Sequence, residues 1–423
     1  MKREQVINII TVTLASAAVF FLALHKGIPK PFDILTAILI IVTATRWKTW
    51  SDLRIYWPKI KPYAIILAFI FAFVALGTFL NLKGDHGVTD REIVVNLARV
   101  VFNGVVFLFF AFLVASWGKP NKTTDAVQPD KQNNFMGLSW LLPCMSVAIV
   151  ASFALTLPAY WNLDPEAHLG GSRLKGTLSG PLNFGFLSTA AFLVAMGLLL
   201  AVEKIWQKLI IAAWMVVLAS FNLWAASRAT WVALVVTISS LFILSRGKLL
   251  YKTKYFVALP AIIFLLGLSL LPSKSIEVQQ WTRNRIATTV TNPFEGQAQT
   301  HSWSSAIKTI AKKPLGLGFL RPVASDGTFV EVAFYGGIGA LIFFLALVIK
   351  FLKHAYFAIR NLDSPNGGVV ALKLGWVAVG IAVIASITFT DGFLWRQTWV
   401  LLGISLGAIW SVEEKSARQN QRD

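Results

Sequence analysis

Cysteine is almost missing from this chain: one residue in 423, Cys144, set within an apolar stretch. A disulfide framework is therefore excluded. The five histidines form no His/Cys cluster at metal-ligand spacing, so neither a zinc site nor any other metal is expected. Signatures of nucleotide use and of hydrolase chemistry are lacking too. There is no Walker A loop, no GxGxxG at a strand–helix junction and no GxSxG elbow. No cofactor is expected, and energy would have to come from an activated lipid-linked donor or an ion gradient. The first apolar run is not followed by a small-residue cleavage site, so it is expected to be kept rather than removed as a signal peptide. Charge is scarce at 14%, and acidic residues are half as common as basic ones, 20 against 39.

What the chain has in quantity is apolar surface. Hydrophobic residues make up 56%, and mean hydropathy is +0.65. That composition predicts an all-α fold: a polytopic membrane helix bundle forming a single transmembrane domain over 1–423. About twelve spans are expected, near 7–25, 32–46, 62–80, 95–117, 137–158, 181–202, 206–224, 229–245, 253–271, 329–350, 369–389 and 392–411. The second is short, and Lys373 interrupts the eleventh. The net charge of +19 would suit nucleic acid, but its distribution does not. Basic residues concentrate in alternate loops: Arg46, Lys48, Arg54, Lys59 and Lys61 in one, Lys119, Lys122 and Lys131 in another, then Arg246 to Lys254 and Lys350 to Arg360. The positive-inside bias puts those loops and both termini in the cytoplasm. No nucleic-acid partner is expected; the expected setting is a bacterial inner membrane.

The opposite face carries the unusual segments. Its longest loop, 272–328, runs to about 57 residues, far beyond an ordinary connection. Trp303, Ala306, Ile307 and Ile310 follow one helix face, and Pro314, Gly316 and Gly318 stop that helix. The loop is expected to form a small helical subdomain lying on the membrane.

Candidate residues cluster on this face. Arg173 stands in a glycine-rich turn before Pro181 and Asn183, as an anion site or as an ordinary headgroup arginine. Arg228 opens a span after almost no loop, where an arginine must pair, snorkel or face a wet cavity. His301 could exchange protons near neutral pH, or could simply be solvated. Asp326 and Glu331 flank the start of the tenth span, as helix caps or as a base. Arg283 and Arg285 could meet phosphate or form a solvated basic patch. Arg99, with Asn103 one turn on, needs a polar partner within the bundle.

Four of these pieces line up in order. Arg173 to Asn183 (RLKGTLSGPLN), Ser227-Arg228-Ala229 with Trp231, His301 followed by Pro314-Leu-Gly-Leu-Gly318, and Glu331 with Tyr335-Gly-Gly-Ile-Gly339 resemble the motifs of the O-antigen ligase and polymerase superfamily. The resemblance covers roughly 165–350. It implies metal-independent glycosyl transfer on the periplasmic face, with a glycan on undecaprenyl pyrophosphate as donor and a glycan or lipid A–core as acceptor. Arginines would bind the pyrophosphate: Arg173 and Arg228, with Arg283, Arg285 and Asn183 beside them. His301, Glu331 or Asp326 would activate the acceptor hydroxyl. The chain departs from the pattern at Pro181-Leu182-Asn183, where the asparagine is displaced by one. It also reads Ser325-Asp326-Gly327-Thr328 where ligases carry a His-Asn pair. The second departure favours a repeat-unit polymerase, whose partners would include membrane lipid and a chain-length regulator protein, over a ligase. A lipid-linked oligosaccharide flippase or secondary transporter is the alternative of a different class.

Overall fold

The computed structural model describes residues 3–21, 31–45, 47–82, 88–117, 141–147, 149–151, 181–225, 227–244, 307–320, 327–360, 368–388, 390 and 392–419. Among these the chain is helical. Its main elements are α1 (Arg3–Phe21), α2 (Pro31–Ala44), α3 (Trp47–Leu80), α4 (Asp90–Trp117), α5 (Pro181–Ala201), α6 (Ile205–Ala225), α7 (Arg228–Leu244), α8 (Thr328–Arg360), α9 (Gly368–Ile387) and α10 (Arg396–Gln419). Six helices in the described residues are long and apolar enough to cross a membrane: those in α3, α4, α5, α6, α8 and α9. This is the build of a membrane-embedded helical protein. The expected spans near 137–158 and 253–271 lie mostly or wholly outside the described residues.

Several helices differ from their expected outlines, among them α8, which runs on through the expected basic loop to Arg360. The basic stretch expected as a loop before the third span is helical from residue 47, so α3 runs for 34 residues despite Pro58 and Pro62. At 1.5 Å per residue that is about 50 Å, well beyond a hydrocarbon core of about 30 Å. Tertiary contacts keep the prolines from ending it: Tyr56 is buried and its hydroxyl donates to Ala115 O at 2.9 Å, tying the early turns of α3 to the last turn of α4. Lys373, expected to interrupt a span, sits inside an unbroken α9. Its ammonium is buried and donates to Ser411 O at 3.4 Å.

α8 is the helix that does break. Gly337 has φ 67° and ψ −165°, a conformation open essentially to glycine alone. A continuous helix would bond Ile338 N–H to Phe334 C=O. Here each group turns instead to the segment Pro314–Leu317. Leu317 N donates to Phe334 O at 2.8 Å, and Ile338 N donates to Pro314 O at 2.9 Å. One helical bond is replaced by two bonds to another segment, so the break leaves no polar group stranded in an apolar bundle. The inserted turn is also pinned to α3: Phe319 N donates to Thr78 Oγ1 at 3.2 Å, and Asn81 Nδ2 donates to Gly316 O at 3.2 Å. The short helix expected ahead of this turn is present over 307–312, and Lys313 N still donates to Thr309 O before the chain turns away.

Packing elsewhere relies on close approach at small residues. Gly403 and Gly407 of α10 lie against the carbonyls of Phe107 and Ala111 in α4, and Gly197 of α5 lies against Ala371 O of α9. Trp376, Trp410, Tyr63 and Phe110 are fully buried in the middle of the bundle. Ile41, Phe79, Leu209, Ile243 and Ile349 are exposed on its outside, as lipid-facing side chains would be. α3 ends, and α2, α4, α5, α7, α8 and α10 begin, at one common end, called the rim below.

Candidate functional site: a polar rim around the approach to helix α10

The rim is organised by the described residues between α9 and α10, together with the first turn of α10. Thr328 at the start of α8 donates its hydroxyl to Thr390 O at 2.8 Å and accepts from Gly392 N at 2.7 Å. Glu331, in the first turn of α8 and 5% exposed, accepts from Phe393 N at 3.1 Å through Oε2. Four residues later, Gln397 Nε2 donates to Asn183 Oδ1 of α5 at 2.8 Å. Between them, Arg396 pairs with Asp33 of α2, Nη2 to Oδ2, at 2.7 Å. Three helices distant in sequence thus lend polar side chains to the same short segment, two from α8 and one each from α5 and α2. All of it is buried or half-buried, so each bond is worth more, and each lost partner costs more, than at a wet surface.

Of the residues picked from sequence, Asn183 and Glu331 meet here. Pro181 begins α5 as expected, and the buried Asn183 follows two residues on. Arg228 is the first residue of α7. Its helix start is set by Asn222 of α6, whose amide donates to Gly185 O at 3.3 Å and to Thr189 Oγ1 on α5. Thr230 Oγ1 meets Asn222 Oδ1 at 3.3 Å and Ser227 O at 2.9 Å. The start of α7 is therefore held against the turn of α5 that follows Asn183. Arg173, Arg283, Arg285, His301 and Asp326 lie outside the described residues. Arg99 meets a partner on its own helix, with Nη1 3.2 Å from Asn96 Oδ1. Asn103 is buried at 1% exposure, with no hydrogen-bond partner for either amide atom among the described residues.

Sequence reasoning missed Arg396, Gln397, Asp33 and Thr328. The first two were available by an argument already applied to Arg99 and Lys373, since they are polar residues inside an otherwise apolar run. Asp33 and Thr328 carried no comparable signal, because each looks like an ordinary first-turn residue.

Fold and rim together define a helical membrane protein with a buried polar cluster at one end of its bundle. No family model matches the chain, and no curated protein matches it.

Proposed function

We propose that the chain is an inner-membrane glycosyltransferase with about twelve spans, acting on the periplasmic face. It would polymerise polysaccharide repeat units such as those of O-antigen, carried on undecaprenyl pyrophosphate. The observation that carries this reading is the pairing of Pro314–Leu317 with Phe334–Ile338. Two of the short motifs behind the family resemblance, separate in sequence, form one hydrogen-bonded unit. Residues of two others, Asn183 and the start of α7 at Arg228, stand on neighbouring turns of the same rim.

In this reading Arg173 and Arg228 bind the pyrophosphate, with Arg283 and Arg285 available from the long loop and Asn183 beside them. The acceptor hydroxyl attacks the anomeric carbon of the donor glycan. The carbon–oxygen bond to pyrophosphate breaks, and its electron pair leaves on the pyrophosphate oxygen, where the arginines stabilise the new charge. The hydroxyl proton passes to a base: Glu331, His301 or Asp326. The transporter reading has one observation in its favour, the broken α8, since broken helices line cargo sites in transporters. There the freed backbone groups face cargo, whereas here both are consumed by the inserted turn, so that reading ranks below polymerase and ligase.

Deleting the gene and resolving surface glycans by gel tests the proposal. Single repeat units on lipid A–core are the expected result. Bare core with long lipid-linked polymer would instead indicate a ligase, and lipid-linked units trapped on the cytoplasmic face a flippase. An unchanged surface glycan would end the glycosyltransferase reading. Complementation with Glu331→Gln and Glu331→Ala separates base from cap. The glutamine variant keeps an acceptor for Phe393 N, so it should insert and melt like the parent. If it also restores full polymer, Glu331 is not the base.

A further inference from the structure

We propose that Arg99 and Arg396 form a binding site for the phosphate group of an anionic membrane lipid, at the rim between α2, α4 and α10. The proposal depends on the membrane setting and not on the glycosyltransferase reading.

α4 and α10 pack in parallel. Gly403 abuts Phe107 and Gly407 abuts Ala111, a register that brings Arg99 level with the start of α10. The two guanidinium groups lie close enough to repel one another electrostatically. Arg396 gives Nη2 to Asp33, and its Nε is buried without an acceptor among the described residues. Arg99 gives Nη1 to the neutral Asn96. Among the described residues the two cations thus have one carboxylate partner between them, Asp33 on Arg396, in a largely apolar setting, and such surplus positive charge is costly there unless an anion joins it. Each guanidinium has five N–H donors in a planar fork, so further donors remain for a phosphate oxygen. Asn103 is one turn from Arg99 on the same face of α4, and its unpartnered buried amide adds a donor and an acceptor along that face.

The surroundings point to a lipid as the source of the phosphate. Ile34, next to Asp33 on α2, is exposed, and Ile38 and Ile41 continue the exposed apolar side of that helix. In a bilayer these side chains face acyl chains, which places a lipid's tails next to a headgroup held by the two arginines. Asp33 works against the ligand. It competes for Arg396, and its buried Oδ1 has no donor among the described residues. The carboxylate therefore limits affinity, and removing its charge should tighten binding.

The test uses the purified full-length protein in neutral detergent. Melting temperature and native mass spectrometry are followed against phosphatidylglycerol, phosphatidylcholine and inorganic phosphate. Phosphatidylglycerol should raise the melting temperature and remain bound, and phosphatidylcholine should do neither. Arg99→Gln should weaken phosphatidylglycerol binding by about tenfold, the value of one charge-assisted pair. Arg99→Lys, which keeps the charge but loses the fork, should fall between the two. Asp33→Asn should bind at least as tightly as the parent provided that it melts cooperatively. Equal binding by Arg99→Gln and the parent overturns the site. Equal stabilisation by inorganic phosphate at matched concentration assigns the arginines to a free anion and overturns the lipid.

Discussion

Gln397 and Asn183 are both amides, both buried, and joined by a bond between Nε2 and Oδ1. Burial of an amide is tolerated only while its partner stays in place. Gln397→Ala is expected to cost about 1–3 kcal/mol, because it removes the buried donor that Asn183 Oδ1 accepts from. Combining it with Asn183→Ala should cost less than the sum of the two single changes. Thermal melts of the four proteins in detergent provide the check, and strict additivity would mean that the bond contributes nothing. Sequence gave Asn183 a place near the site but not its partner, because residues 183 and 397 are related only by the packing of α5 beside α10. At this scale the sequence showed which residues were out of place in an apolar chain. It could not show which two would satisfy each other.

The break in α8 illustrates the same limit for an element. Its ingredients are plain in the sequence: Pro314, Gly316 and Gly318 on one side, Gly336 and Gly337 on the other. Taken locally, they mark the end of one helix and part of another span. Nothing local reveals that the backbone groups released at Gly337 are taken up by the turn, since that exchange depends on α3 holding the turn in place through Thr78 and Asn81. Gly337→Ala should therefore destabilise the protein by about 1–3 kcal/mol, because its φ of 67° with ψ of −165° excludes a side chain. Alanine at Gly339, two residues on in an ordinary helical conformation, serves as the comparison in the same melting experiment. If both cost the same, the loss reflects crowding and not the backbone conformation. α3 missed its expected start for a related reason: charge and two prolines read as a loop, yet Tyr56 anchors that stretch as helix.

Across the molecule, helix direction is the testable quantity. α4 and α10 run parallel, α3 and α8 antiparallel, and the polar side chains collect at one end. The basic bias of the sequence predicts that this end faces away from the cytoplasm. Single cysteines placed at Asn81 and at Arg360, in a chain with Cys144 replaced, should label from opposite sides of the membrane in intact cells. Only the cysteine at Asn81 should react with an impermeant maleimide, and the reverse pattern would invert the orientation. This level was the most legible from sequence, because composition and period alone dictate helices that close their own backbone bonds in lipid. Where the helices meet was legible only in part, because apolar faces carry little record of their neighbours.

The bond exchange at Gly337 also governs which changes of chain length this protein can absorb. Extra residues upstream of residue 307 lengthen a connection, and the cost of lengthening grows only slowly. One extra residue between Pro314 and Leu317 would misalign both bonds at once, leaving Phe334 C=O and Ile338 N–H unmatched. The remedy open to the chain would be to rewind α8 into a straight helix and expel the turn. Insertions and deletions among natural variants of this sequence should accordingly accumulate upstream of residue 307 and be missing from 314–317.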